Sequence, residues 1–338
     1  MHTRRGIACT VPVRLSFGNG GDTDYYLQEI GWGCVLNATL KSLYYKCHLI
    51  PGDKTVLHYN DYFAKTKDSF PILQYTLTGV HLDLFKATLA HVHPEYSGEI
   101  HIDTNVPPRS GLGGSSSLMV ALIASLRKLK NENLHPEAIA STAYLIERNI
   151  MNIKGGYQDQ WAASYGTGFN LFTFKIGKVA VEPLKLEEKT LQRLENHLCL
   201  FSVSPRKISS GKVHELQEKK AKEDKALVMD IMVKKRNNTI QMAEALKAGD
   251  LHSFGKCLNT EWELKKAVTP GIVDDDLEKI YGLAKQHGAL GGKVTGSGGC
   301  SFFYCKDPDQ VKSALEKEGA TFFQVVFQRP EEPGIQLI

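Results

Sequence analysis

The sequence has no apolar run long enough to cross a bilayer, and its first residues, MHTRRGIACTVPVR, lack the apolar core a secretory signal needs. A soluble, cytoplasmic protein without a membrane partner is therefore expected. It also lacks any C-x-x-C pair. The seven cysteines, at 9, 34, 47, 199, 257, 300 and 305, are odd in number and have no metal-ligand spacing. That argues against a disulfide framework and a structural zinc site, and leaves reduced, buried thiols. A large charge of one sign is missing too. With 41 Lys and Arg against 37 Asp and Glu, the net charge of +4 is too mild to argue for nucleic acid. In the lysine-dense region no aromatic residues interleave with Lys219, Lys220, Lys222 and Lys225, so those charges read as a solvated helix face. No repeat period or disordered tail stands out.

What the chain does have is glycine in loops. The stretch Pro107–Lys130, PPRSGLGGSSSLMVALIASLRKLK, follows residues 99–106, where Ile100, Ile102 and Val106 alternate with polar residues as in a half-buried strand. It ends in a helix that is apolar on nearly every face. A strand thus feeds a glycine loop that opens a buried helix. Gly111, Gly113 and Gly114 let the backbone bend and approach a ligand closely, and Ser115, Ser116 and Ser117 bring hydroxyls to a helix N-terminus, where unpaired N–H groups favour an anion. A Walker loop is excluded, because no lysine follows these glycines before Lys128. The dinucleotide fingerprint fails as well, since Ser116 stands at its third glycine. The remaining readings are a phosphate cradle or a capped helix after a tight turn.

A chain of 338 residues is long enough for two domains, and the composition turns to charged helix near Lys185, which places the domains at 1–185 and 186–338. Residues 7–17 read as a strand interrupted by Pro12, followed by the turn GNGGDTDYY with Asp22 and Asp24. Carboxylates beside glycines suit a site that hydrogen-bonds sugar hydroxyls, although Gly and Asp are also favoured in solvent turns. Residues 33–49 and 54–60 read as strands, and 81–91 as a helix. Another helix opens at His135-Pro-Glu and runs to Glu147 and Arg148. The turn GGYQDQ with Asp159, the helix WAASYG and a strand at 169–174 follow. Taken singly, Glu147 reads as a surface residue and Asp159 as a helix cap. Beyond residue 185 the pattern gives a strand at 198–203, a long helix over 213–248, a helix holding Phe254 and Trp262, and a helix over 275–287. The glycine loop GALGGKVTGSGGC, a strand at 301–305, a helix from Asp307 and a strand at 320–328 complete it. This order suggests an α+β protein with a split βαβ sheet.

Three glycine-rich segments, PVRLSFGNGGDTDYY, PPRSGLGGSSS and GGKVTGSGGC, together with GGYQDQWAA and EWELKKA, resemble the motifs of the GHMP kinase superfamily over nearly the whole chain. The sugar-kinase branch holding D-glycero-D-manno-heptose 7-phosphate kinases and L-fucokinases is the most similar. The resemblance implies a two-domain α+β fold, with an N-terminal ribosomal-protein-S5-domain-2-like domain and a C-terminal ferredoxin-like domain, and it implies ATP and Mg²⁺. Pro108, Ser110, Gly111, Leu112, Gly113, Gly114, Ser115 and Ser116 would wrap the triphosphate. Ser115 and Glu147 would hold the metal. Asp159 would face the acceptor hydroxyl, and Arg14 would stand near the reacting oxygen. Gly20, Gly21, Asp22, Thr23 and Asp24 would hold the sugar, with Asp22 and Asp24 open to exchange because the first motif carries one extra residue. Gly156, Gly296, Gly298 and Gly299 would shape the pocket. Arg206, Lys207 and Arg109 are available for a distal phosphate. Gly114 and Cys300 depart from the commoner serine and glycine. The implied activity is transfer of the ATP γ-phosphate to the anomeric hydroxyl of D-glycero-D-manno-heptose 7-phosphate, by a monomer or homodimer. The alternatives are a kinase for an unphosphorylated sugar of the fucose or galactose type, and a nucleotide-binding protein without turnover.

Overall fold

The computed structural model describes residues 6–72, 74, 77, 82–203, 209–269, 271–296 and 298–338. The first half begins with β1 (Ile7–Asn19), α1 (Asp24–Ile30), β2 (Gly33–Pro51), β3 (Val56–Asp61) and β4 (Thr66–Pro71). It continues with α2 (Asp83–Val92), β5 (Gly98–Thr104), α3 (Gly114–Leu129), α4 (Pro136–Tyr144), a π-helical turn at Leu145–Ile150, α5 (Gln158–Tyr165), β6 (Phe169–Lys175) and β7 (Lys178–Pro183). The second half holds α6 (Glu188–His197), β8 (Leu198–Ser202), α7 (Ser210–Glu223), α8 (Lys225–Lys247), α9 (Leu251–Val268), α10 (Asp275–Gln286), β9 (Ala289–Val294), β10 (Cys300–Cys305), α11 (Pro308–Lys317), β11 (Thr321–Phe323) and β12 (Gln336–Leu337).

Two sheets organise the chain. The larger has the order β12-β1-β2-β5-β3-β4, with β6 paired to β2 and β7 to β6. β2 forks: its first residues pair with β6 and its last with β5, while β1 runs along its other edge. Pro12 does not interrupt β1. It sits at a register shift between Pro12 and Val13, where a bulge tolerates the missing N–H. The smaller sheet, β11-β8-β10-β9, is antiparallel throughout. Helices lie between β8 and β9 and between β10 and β11, which is the split βαβ pattern expected from the element order. The two sheets lie on either side of residue 185 except for β12, which returns to pair with β1.

α3 is the axis of the first half. Its residues Ser116–Leu126 are all buried, and it packs on β1 and β2, which explains its apolar character all round. Phe17 at the end of β1 joins the halves, with its ring 5.6 Å from Phe169, 5.4 Å from Phe254 and 5.6 Å from Phe302. Each such fully buried ring contributes roughly 1.5–3 kcal/mol, and the two halves share one continuous core.

Several expectations change. The helix expected over 213–248 is two, because Asp224 leaves helical geometry and caps α8 by accepting from Leu227 N at 3.1 Å. The strand expected over 320–328 pairs with β8 only at Thr321–Phe323, and Phe327 makes an isolated antiparallel bridge to Leu40. Beyond it the chain leaves β8, and Lys41 N and Gln328 N bond across to Val326 O and Thr39 O. In the third glycine segment, Gly291 and Gly292 belong to β9. A Cβ on Gly291 would stand 2.0 Å from Gly255 O, so this glycine lets α9 press on the sheet. Among the described residues the seven cysteines are free, six of them buried, and no helix is long and apolar enough to cross a membrane.

Candidate active site

A cavity of about 280 Å³ lies between the end of β1, the N-terminus of α3 and the helices α7 to α9. The second glycine loop forms one wall. Arg109, Gly111 and Gly113 take positive φ of 56°, 72° and 76°, which turns the chain sharply from β5 into α3. No side chain caps the helix at Gly113, so the first-turn N–H groups have no intrahelical partner. Gly113, Gly114 and Ser115 line the cavity at that end.

The third loop braces the second. A Cβ on Gly111 would stand 2.4 Å from Thr295 O, and one on Gly299, at φ 105°, 2.0 Å from Arg109 O. Ser110 O accepts from Cys300 N at 3.2 Å and also from Thr295 Oγ1. Cys300 itself is buried at the start of β10, and burial pushes its thiol up to about 12.

Arg14 and Asp159 meet beside the loop. Arg14 Nε and Nη2 donate to Asp159 Oδ1 at 2.9 and 2.7 Å, and Nη1 donates to Gly111 O at 2.7 Å. Asp159 is a quarter exposed, at 26%, and it lines the cavity with Arg14. Glu147 approaches from behind the loop. The preceding α4 widens into the π-helical turn, with Met151 N bonded to Ile146 O, and this turns Glu147 inward. Ser115 Oγ donates to Glu147 Oε1 at 3.5 Å, Ser116 Oγ to Oε2 at 3.2 Å, and Gln160 Nε2 to Oε2. Arg148 Nη1 stands 3.6 Å from Glu147 Oε1. A hydroxyl and a carboxylate at this spacing are hard oxygen donors, the set a small dication takes.

The two carboxylates of the first motif separate. Asp22 is buried and lines the cavity, held by Asn19 Nδ2 at 3.0 Å and Gln158 N at 3.1 Å. Asp24 opens α1 and takes the hydroxyls of Tyr144 and Tyr157 at 3.1 and 2.6 Å, outside the cavity. Thr23 caps α1 and lines the cavity. Gly20 and Gly156 stand behind these residues: a Cβ on Gly20 would meet the Arg236 backbone, and one on Gly156 the Asp22 carboxylate. Gly21, at φ 89°, turns the chain between them. Pro107 lines the cavity and Pro108 does not, while Leu112 is core and its carbonyl accepts from Arg14 N at 3.1 Å. Gly296 lines the cavity, whereas Gly298 and Gly299 sit against the second loop. Arg206 and Lys207 lie outside the described residues.

Sequence reasoning missed the far wall. His214 and Gln217 on α7, Lys235 on α8, Glu261 and Lys265 on α9 and Lys293 on β9 all line the cavity. Burial lowers the pKa of His214. EWELKKA and GGKVTG contain three of these residues, and their place in glycine or tryptophan motifs was the available signal.

A two-domain kinase fold with a glycine loop at a helix N-terminus is what this geometry defines. The profile of the GHMP kinases N terminal domain matches residues 82–167 and that of the GHMP kinases C terminal matches residues 242–321. D-glycero-alpha-D-manno-heptose 7-phosphate kinase of Campylobacter jejuni is 32% identical over 323 residues, covering 92% of this chain and 94% of that protein. A crystal structure of a D-glycero-D-manno-heptose 1-phosphate kinase from Bacteroides thetaiotaomicron superposes with a TM-score of 0.76 at 26% identity, covering 98% of each chain. Galactokinase of Pyrococcus furiosus is 26% identical over 286 residues, covering 77% of this chain and 80% of that one. The chain belongs to the GHMP kinase family. It is a sugar kinase of that family, whose members take ATP as the phosphate donor.

Proposed function

We propose that the protein transfers the γ-phosphate of ATP to the anomeric hydroxyl of D-glycero-D-manno-heptose 7-phosphate in the cytoplasm. The observation that carries this reading is the Arg14–Asp159 pair, tied to Gly111 O at the mouth of the phosphate loop. Both Arg14 bonds to the carboxylate end on Oδ1, and among the described residues Oδ2 has no hydrogen-bond partner, which leaves it for an acceptor hydroxyl. Asp159 takes the hydroxyl proton or fixes its direction, a contribution of about 10²–10⁴ in rate. Arg14, beside the same oxygen, offsets negative charge on the transferring group. The first-turn N–H groups of α3 hold the nucleotide phosphates. Ser115 and Glu147 are the residues that would hold Mg²⁺, which neutralises phosphate charge when bound. Asp22 and Thr23 supply acceptors for sugar hydroxyls on the wall beside Asp159.

The Campylobacter relative is named for a 7-phosphate acceptor and the Bacteroides neighbour for a 1-phosphate. Higher identity with the former supports a heptose phosphorylated at its far end. ADP release with Mg-ATP across a panel of sugars and sugar phosphates tests this, with ³¹P NMR locating the new phosphate. The expected product carries an anomeric phosphate beside the original one. Equal rates on the sugar with and without its distal phosphate would remove the heptose 7-phosphate reading in favour of an unphosphorylated acceptor.

A further inference from the structure

The far wall of the cavity carries charges that the reading above leaves unused. Glu261 is 0% exposed, Lys293 3%, Lys235 4% and Lys265 9%, yet all four line the cavity. Lys235 Nζ donates to Glu261 Oε1 at 2.5 Å, and Lys293 Nζ reaches the same oxygen at 3.5 Å. Lys293 also donates to Phe17 O at 3.1 Å, and Asn19 N to Glu261 Oε1 at 3.3 Å. These bonds clamp β1 to the second half. Lys265 takes no part in the clamp: its Nζ meets the carbonyl oxygens of Val294, at 3.4 Å, and Gly296.

The charges do not balance. Around the cavity stand Arg14, Arg109, Lys235, Lys265 and Lys293 against Asp22, Asp159 and Glu261. Arg14 occupies Asp159, and Asn19 with the Gln158 amide occupies Asp22. Counted as fully charged, the five cations exceed the three carboxylates by two, and the three buried lysines have one carboxylate, Glu261, among them. Cations taken out of water and set beside each other are costly unless a counter-charge joins them. A phosphate monoester dianion brings two negative charges and three acceptor oxygens, matching the surplus.

We infer that Lys235, Lys265 and Lys293, spaced by Glu261, form a second phosphate-binding wall that takes a phosphate dianion across the cavity from the α3 N-terminus. The site stands on its own geometry; only the carrier of the phosphate, the acceptor's distal group or the nucleotide's terminal one, rests on the proposed reaction. Burial pushes Lys293 down to about 8 and Lys265 well below the usual lysine range, with the neighbouring lysines and Arg14 acting in the same sense and Glu261 opposing. An incoming dianion favours the charged amines, raises those pKa values and draws protons from solution.

Inorganic phosphate, titrated calorimetrically near pH 8 in two buffers of different ionisation enthalpy, is the direct probe. The wild type is expected to bind with net proton uptake. Lys265→Met, which leaves the β1 clamp intact, is expected to bind at least tenfold more weakly with less uptake, and Lys265→Arg to recover binding. No phosphate binding by the wild type, or wild-type affinity and uptake in a folded Lys265→Met, would overturn the inference. Kinetics then identify the carrier. A KM raised only for a phosphorylated acceptor assigns the acceptor's phosphate. A raised ATP KM with every acceptor assigns the nucleotide's. Unchanged KM values for both contradict the site. Phosphate binding through Lys265 in a wild type that turns over no sugar phosphate would sink the heptose phosphate reading and leave this site standing.

Discussion

The second and third glycine loops look alike in sequence and sit differently at the cavity. The loop at Gly111–Gly114 uses positive φ at Gly111 and Gly113 to deliver a helix N-terminus to the cavity. The loop at 295–299 uses its glycines to lie backbone to backbone against the first, with Gly299 on Arg109 O and Gly296 on Gly111 O. One loop delivers the helix N-terminus proposed to hold phosphate; the other fixes where that loop stands. Glycine richness alone does not report contact with a ligand, because close approach to another strand of backbone demands the same residue.

The largest effect comes from removing chemistry while leaving both loops in place. Asp159→Asn keeps an oxygen for Arg14, so folding and ATP KM should hold while kcat falls by about 10²–10⁴ in a steady-state ADP-release assay. Glu147→Gln, behind the second loop, keeps a carbonyl acceptor for one of Ser115 and Ser116 but loses the charge. The Mg²⁺ concentration for half-maximal rate should rise by about 10–100-fold. Gly299→Ala tests the brace. The new Cβ meets Arg109 O, so ATP KM should rise by about tenfold, and a strain of about 1–3 kcal/mol should lower the thermal midpoint. Gly177→Ala is the control, since Gly177 has φ 67° with nothing within 4 Å of a Cβ. It should cost about 1–2 kcal/mol of stability in denaturant unfolding and leave both KM values alone. A Gly299→Ala enzyme indistinguishable in KM from Gly177→Ala would erase the distinction between the loops.

Much of this arrangement was legible in the chain. Period-two alternation around Ile100 and Ile102, followed by glycines and an apolar helix, gave β5, the loop and α3 within a few residues. The second sheet followed from element order. What the residues taken by themselves did not reveal had physical reasons. Glu147 reads as a surface residue at helical spacing, and only the π-helical turn at Leu145–Ile150 rotates it inward, a register that a 3.6-residue period does not reveal. Asp22 and Asp24 are two residues apart, and which one meets the cavity depends on Tyr144 and Tyr157 from another element. Lys235, Lys265 and Lys293 come from two helices and a strand in a chain with 41 Lys and Arg, so nothing local marks them as a group.

Amide hydrogen exchange with a non-hydrolysable ATP analogue tests the central claim most directly. If the first turn of α3 holds the nucleotide phosphates, the N–H groups of Gly114, Ser115 and Ser116 should exchange more slowly in the complex. Bound nucleotide with exchange at those three amides unchanged would contradict it.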